Sequence, residues 1–187
     1  MSARSLFPHQ QLSWYERNLE QELKNSKDRL AVLKQLALLH LSKGLFHDGG
    51  EAECAKAFSY TQKALREDPT SSISMAISGL ALMGMERPKR AEKYLYQARE
   101  LNEENAILQI GLGQLEQFYG DIPQLLKHFE RACQIASESW ETNFLFGRSL
   151  LGFGIQNGDR TSIDRALYHL IRTKDLKQKF PDEKSHT

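Results

Sequence analysis

Apolar residues recur along this chain at steps of three and four, the period of one face of a helix. Tyr94, Leu95, Ala98 and Leu101 form one such set, and Leu125, Leu126, Phe129 and Cys133 form another. No stretch alternates apolar and polar positions with the β-branched enrichment of a strand, and the chain holds a single valine, Val32. Pro8, Pro69, Pro88, Pro123 and Pro181 all stand beside polar, cap-like residues, and none interrupts a periodic segment. Proline is tolerated in the first turn of a helix and just past its end. Pro88 and Pro123 therefore open helices, and Pro69 follows the end of one. The pattern predicts helices over 8–25, 28–43, 51–67, 72–84, 88–101, 105–119, 122–136, 139–155 and 161–174. The fold class is all-α.

So much helix calls for an architectural reason, and a repeat supplies it. Gly79, Gly113 and Gly147 are spaced by 34 residues, as are Ala98 and Ala132. One unit reads Ser78-Gly79 followed by Ala91, Leu95 and Ala98; the next reads Leu112-Gly113, then Leu125, Phe129 and Ala132. The flanking units fit if each carries an insertion. Ahead lie Leu36-Ala37 and His40, then Ala57, Thr61 and Ala64 with Asp68-Pro69, with eight extra residues within Gly44–Ala52. Behind lie Phe146-Gly147, then Ala166, Leu170 and Thr173, with seven extra around Gly152–Asp159.

This pattern resembles the tetratricopeptide repeat, a 34-residue helix–turn–helix with Leu-Gly in its first helix, Ala-x3-Phe in its second and Pro after it. The resemblance covers about residues 29–173 and implies a helical-repeat solenoid of about four helix pairs. It departs from the family at the usual Trp, here Leu33, Met75, Gln109 and Asn143, and at the usual Tyr, here His40, Leu82, Glu116 and Leu150. Small residues remove bulk where helices approach closely, and Leu95 or Phe129 fills the gap between pairs. Leu12, Tyr15, Leu19 and Leu23 share one stripe of the leading helix, as a cap on the array would require. Trp14 lies off that stripe, and packing against the Phe7 segment is its expected role. The chain thus divides into a capping helix at 1–27, repeats at 28–70, 71–104, 105–138 and 139–174, and a polar tail at 175–187.

Composition narrows the function. The 25 Lys and Arg nearly balance 24 Asp and Glu, which disfavours a nucleic-acid partner or attraction to anionic lipid. No aliphatic run exceeds the length of Leu36–Leu39, far short of a membrane span. Residues 1–11 hold no apolar stretch of signal-peptide length, and two cysteines make no disulfide framework, so a cytoplasmic location is expected.

No catalytic constellation emerges. The six histidines are scattered and none forms His-Glu-x-x-His. Cys54 and Cys133 fall inside amphipathic helices, where a buried, inert thiol is the default. The glycines at 152, 154 and 158 read as an inter-helix loop. His47, Asp48, Glu51, Glu53 and Cys54 cluster in sequence but lack a second His or Cys, and read as a solvated loop rather than a metal site. No enzyme activity, cofactor or metal is expected.

What remains is the surface. The resemblance implies a concave groove, lined by the first helix of each pair, that holds an extended peptide or a partner helix. Its positions transfer to Lys34, Leu38 and Leu41 in the first unit, and to Ile73, Ala76, Leu80 and Met83 in the second. The third contributes Ile107, Ile110, Gln114 and Gln117, and the fourth Glu141, Phe144, Arg148 and Leu151. Chaperone-binding family members clamp a C-terminal carboxylate there with Lys, Asn and Arg; Leu38, Ala76 and Leu80 stand in place of polar residues, so that clamp is missing. An apolar groove with polar hooks at Lys34, Gln114 and Arg148 suits an amphipathic helix or apolar peptide. The expected function is a protein-interaction adaptor, with a client-holding chaperone, similar to the small ones of bacterial secretion systems, as the alternative. The two insertions add Leu45, Phe46, Phe153 and Ile155. These residues either form a second contact edge, cover the ends of the stack, or belong to longer flanking helices.

Overall fold

The computed structural model describes residues 12–178, and among these nine helices and no strand occur. They are α1 Leu12–Asn25, α2 Arg29–Phe46, α3 Gly50–Glu67, α4 Ser72–Gly84 and α5 Pro88–Leu101. Then follow α6 Ala106–Tyr119, α7 Ile122–Ile135, α8 Trp140–Asn157 and α9 Arg160–Gln178. The expected start of the first helix at residue 8 lies outside the described residues, as do Phe7 and residues 179–187.

Local chemistry sets the helix ends. The side chains of Asp28, Asn105, Asp121 and Ser139 each accept a backbone N–H from the first turn of the helix they precede. Pro88 occupies the first turn of α5. Gly120 and Gly158 close α6 and α8 with φ of 80° and 65°, the left-handed geometry glycine adopts without penalty. Glu86, 34 residues before Gly120, sits at φ 56° in the turn after α4.

Helices α1–α5 form one compact unit and α6–α9 another. In the first, α2 pairs with α3 and α4 with α5; in the second, α6 pairs with α7 and α8 with α9. Leu19 of α1 joins Val32, Leu36 and Leu39 of α2 in a buried cluster, with Tyr15, Leu23 and Tyr60 packed against it. The small residues do what the repeat pattern requires. A Cβ on Gly79 would come within 2.6 Å of Leu95, and one on Gly113 within 2.4 Å of Phe129.

Two expectations need correction. The extra residues of the flanking units belong to longer flanking helices, one of the readings the sequence left open, and not to inter-helix loops: α2 and α3 have 18 residues each, α8 has 18 and α9 has 19. The four middle helices have only 13 or 14, so the flanking helices run about one turn longer. Gly152 and Gly154 accordingly lie inside α8. Residues 175–178 are also helix rather than tail, and Leu176 is buried on α9.

Candidate functional site

The first helix of each pair carries the residues assigned to the groove, and burial divides them. In the first unit Lys34, Leu38, Ile73 and Met83 are partly exposed, whereas Leu41, Ala76 and Leu80 are buried. In the second unit Gln114, Phe144 and Leu151 are partly exposed and Gln117 and Arg148 are open to solvent. Ile107, Ile110 and Glu141 are buried. The expectation that Leu41, Ala76, Leu80, Ile107, Ile110 and Glu141 face solvent is therefore corrected: they belong to the interior. For Ala76, Leu80, Ile107 and Ile110 the reason is the apolar content of α4 and α6, which leaves few polar positions to face water. Buried Glu141 instead accepts the Ser139 hydroxyl at 2.5 Å, at the start of α8.

The accessible remainder has its own order. Lys34 Nζ lies 3.9 Å from Asp68, which holds the ammonium beside the last turn of α3. Arg148 sets its guanidinium over the Phe144 ring, 5.6 Å from the centroid, one turn away on α8. That pairing presents a flat aromatic face and a cation side by side.

The proposed edge residues also separate. Leu45 and Phe46 are half-buried at the end of α2, and a Cβ on Gly84 would lie 3.2 Å from Leu45. Phe153 is half-buried, whereas Ile155 is exposed near the end of α8. Phe118 and Tyr119 end α6 as an exposed edge-to-face pair, which the sequence reading missed; two adjacent aromatics at a helix end were the signal. Trp14 is likewise exposed.

Polar groups inside the units are largely committed to one another. His40, buried on α2, pairs its Nδ1 with Glu53 at 2.6 Å and stacks on Tyr60. Its Nε2 lies 3.5 Å from Glu16, an ion-pair distance without a hydrogen bond, and Lys43 completes the pair with Glu16. Burial alone would raise the Glu53 carboxyl, but hydrogen bonds from Lys56 and His40, with their charges, outweigh it and hold the group below its ordinary value. Cys54 and Cys133 are buried free thiols, each pushed up to about 11 chiefly by desolvation. The Cys54 sulfur is wedged between helices: a Cβ on Gly44 or on Gly84 would come within 2.5 Å of it. Among the described residues no three His, Cys, Asp or Glu side chains gather as metal ligands, and no helix is long and apolar enough to cross a membrane.

No protein-family model matches the sequence, and no curated protein does. Solved structures do. A thermophilic TPR protein of Thermus thermophilus superposes with a TM-score of 0.66 at 16% identity, over 90% of this chain and 88% of that one. A tetratricopeptide repeat protein of Parabacteroides merdae gives 0.60 at 16% identity, over 90% of this chain and 64% of that one. A crystal structure of MamA protein gives 0.54 at 20% identity, over 90% and 86%. The chain has the tetratricopeptide-repeat fold. In tetratricopeptide terms, α2, α4, α6 and α8 are the first helices of four pairs and α1 precedes them. The polar residues at the family's Trp position have partners of their own, since Gln109 hydrogen-bonds His128 at 2.8 Å and Asn143 hydrogen-bonds His169 at 2.9 Å.

Proposed function

We propose that this protein is a non-enzymatic, cytoplasmic adaptor that binds an apolar peptide or amphipathic helix on the exposed parts of its first helices. The observation that carries the reading is the Phe144–Arg148 ledge with half-exposed Leu151 on the same helix. An aromatic face, an aliphatic neighbour and a cation suit a helix with apolar residues at three- and four-residue steps and a carboxylate at its margin. Leu38, Ile73 and Met83 offer a comparable, more apolar surface in the first unit. Buried thiols held far from the thiolate form support a binding role over nucleophilic chemistry.

Selection of displayed random peptides against the intact protein tests this. Selected ligands should show helical apolar spacing with an acidic residue, and Phe144→Glu should reduce their affinity on the order of tenfold or more, as loss of an aromatic anchor does. Helix content should be unchanged. A client-holding chaperone would bind many denatured apolar segments weakly, with no fixed stoichiometry. Failure to enrich any peptide, or affinities indifferent to Phe144→Glu and Leu38→Glu alike, rejects the adaptor reading.

A further inference from the structure

Helix α9 carries an apolar stripe at the repeat positions by which α3 receives α5 and α7 receives α9. In the first unit, Tyr94 packs edge-on against Phe58 with centroids 5.8 Å apart, Arg90 lies over the same ring, and the Tyr94 hydroxyl donates to Gln62. In the second unit, Arg165 pairs with Glu130 at 2.7 Å. Positions 58, 62 and 130 are thus the seats of the following second helix. The repeat carries position 58 to 92, 126 and 167, and position 62 to 96, 130 and 171. The equivalent positions of the earlier repeats mix apolar with polar: Phe58 and Gln62, Glu92 and Tyr96, Leu126 and Glu130. On α9 both are aliphatic. Leu167 is 47% exposed and Ile171 61%, with Tyr168 beside them at 60%. An outer face of a repeat left in water would be polar.

We infer that this face of α9 is occupied by α9 of a second copy of the chain, packed antiparallel about a two-fold axis. Asp164, Leu167, Ile171 and Lys174 follow one another at three- and four-residue steps, so they share a stripe, and Asp164 and Lys174 are both exposed. A two-fold axis at the midpoint of Leu167 and Ile171 sets each of them opposite the other on the second copy. The same axis sets Asp164 opposite the second copy's Lys174, and Lys174 opposite its Asp164. The stripe is therefore complementary to itself in both apolar character and charge, which an isologous contact requires. A parallel pairing would instead set like charge against like.

Mass measurement over a concentration series, by light scattering or sedimentation, tests this on the full chain. The expected result is a dimer that dissociates on dilution. Ile171→Glu should give a monomer with unchanged helix content, since the side chain is exposed in the single copy. Asp164→Lys should weaken the dimer on the order of tenfold by setting Lys against Lys, and adding Lys174→Asp should restore it. Asp164 also pairs within its helix with Arg160 at 3.1 Å, and that contact stays lost in the double variant, so restoration reports the cross-helix pair alone. A monomeric wild type overturns the inference. Hydrogen exchange along α9 of such a monomer would then tell a face covered by residues 179–187 from one left for another protein. A dimer indifferent to Ile171→Glu, or one that the double charge reversal fails to restore, overturns it as well.

Discussion

The amide of Asn143 has no freedom to turn: its Nδ2 donates to the carbonyls of Ser137 and Ser139, which leaves Oδ1 to accept from Nδ1 of His169 at 2.9 Å. His169 is therefore held as the Nδ1–H tautomer, with an edge-to-face contact to Phe146. Burial, then the charges of Arg165 and Arg172, lower its affinity for a proton, with Glu130 opposing them.

Stability should follow that shift with pH. A histidine whose folded value lies below its unfolded one binds protons more readily when unfolded. Its contribution is intact above the ordinary imidazole value near 6.5 and is lost as pH falls through that value toward the lower folded one. His169→Gln keeps a side-chain donor near Asn143 and removes the titration. Denaturant unfolding at pH 7.5 and pH 5 should show the variant losing less stability on acidification than the wild type.

Glu53 titrates with a consequence of the same sign, in a more acidic window. Its carboxyl lies below the ordinary value of 4.5, so the stability it confers is complete above that value and is lost as pH falls below it. Glu53→Gln leaves buried His40 with a weaker partner and should cost about 1–3 kcal/mol at neutral pH. The gap between variant and wild type should close in acid, which unfolding curves near pH 3 would reveal.

Two glycines should respond in opposite directions to the same change. Gly113→Ala drives a Cβ to 2.4 Å from the ring of buried Phe129 and should cost about 1–3 kcal/mol. Gly152→Ala meets nothing within 4 Å, is exposed inside α8, and should stabilise by about 0.5–1 kcal/mol. Thermal unfolding of both variants checks the pair.

Glu86 stands where the next repeat has Gly120, and it shares the left-handed backbone without glycine's freedom. Glu86→Gly should relieve steric strain of about 1 kcal/mol, partly offset by greater freedom in the unfolded chain. A raised melting temperature is the expected reading.

Helix identity was legible in the sequence because period, proline and capping residues agreed: α4 and α5 occupy the residues expected, and other ends differ by a few. The flanking units were harder because their glycines have two possible meanings. Gly44 and Gly154 look like loop breakers, yet a Cβ on Gly44 would strike Cys54 and one on Gly154 would lie 2.8 Å from Ile163. Their role is close packing inside longer helices. Groove assignment went astray where register names a face but not how much of it neighbours cover. Leu80 was expected in water and is fully buried. A warning was present, since α4 reads Ser-Ile-Ser-Met-Ala-Ile-Ser-Gly-Leu-Ala-Leu-Met-Gly, with no charged residue to mark a wet side. The open stripe of α9 escaped notice because apolar spacing alone does not tell a buried face from a bare one.

The order in which helices touch has a kinetic consequence. Within each unit the substantial contacts join helices adjacent in the chain, or, for α2 and α4, next but one. Closing such short loops costs little entropy before contacts reward it, so each unit should fold in roughly microseconds to milliseconds, as low-contact-order helical proteins do. A nascent chain leaving the ribosome can therefore complete α2 with α3, and then α4 with α5, without waiting for residues far downstream. Synthesis, at about 5–20 residues per second, is then the slower process, and little unpaired apolar surface accumulates while the chain is being made.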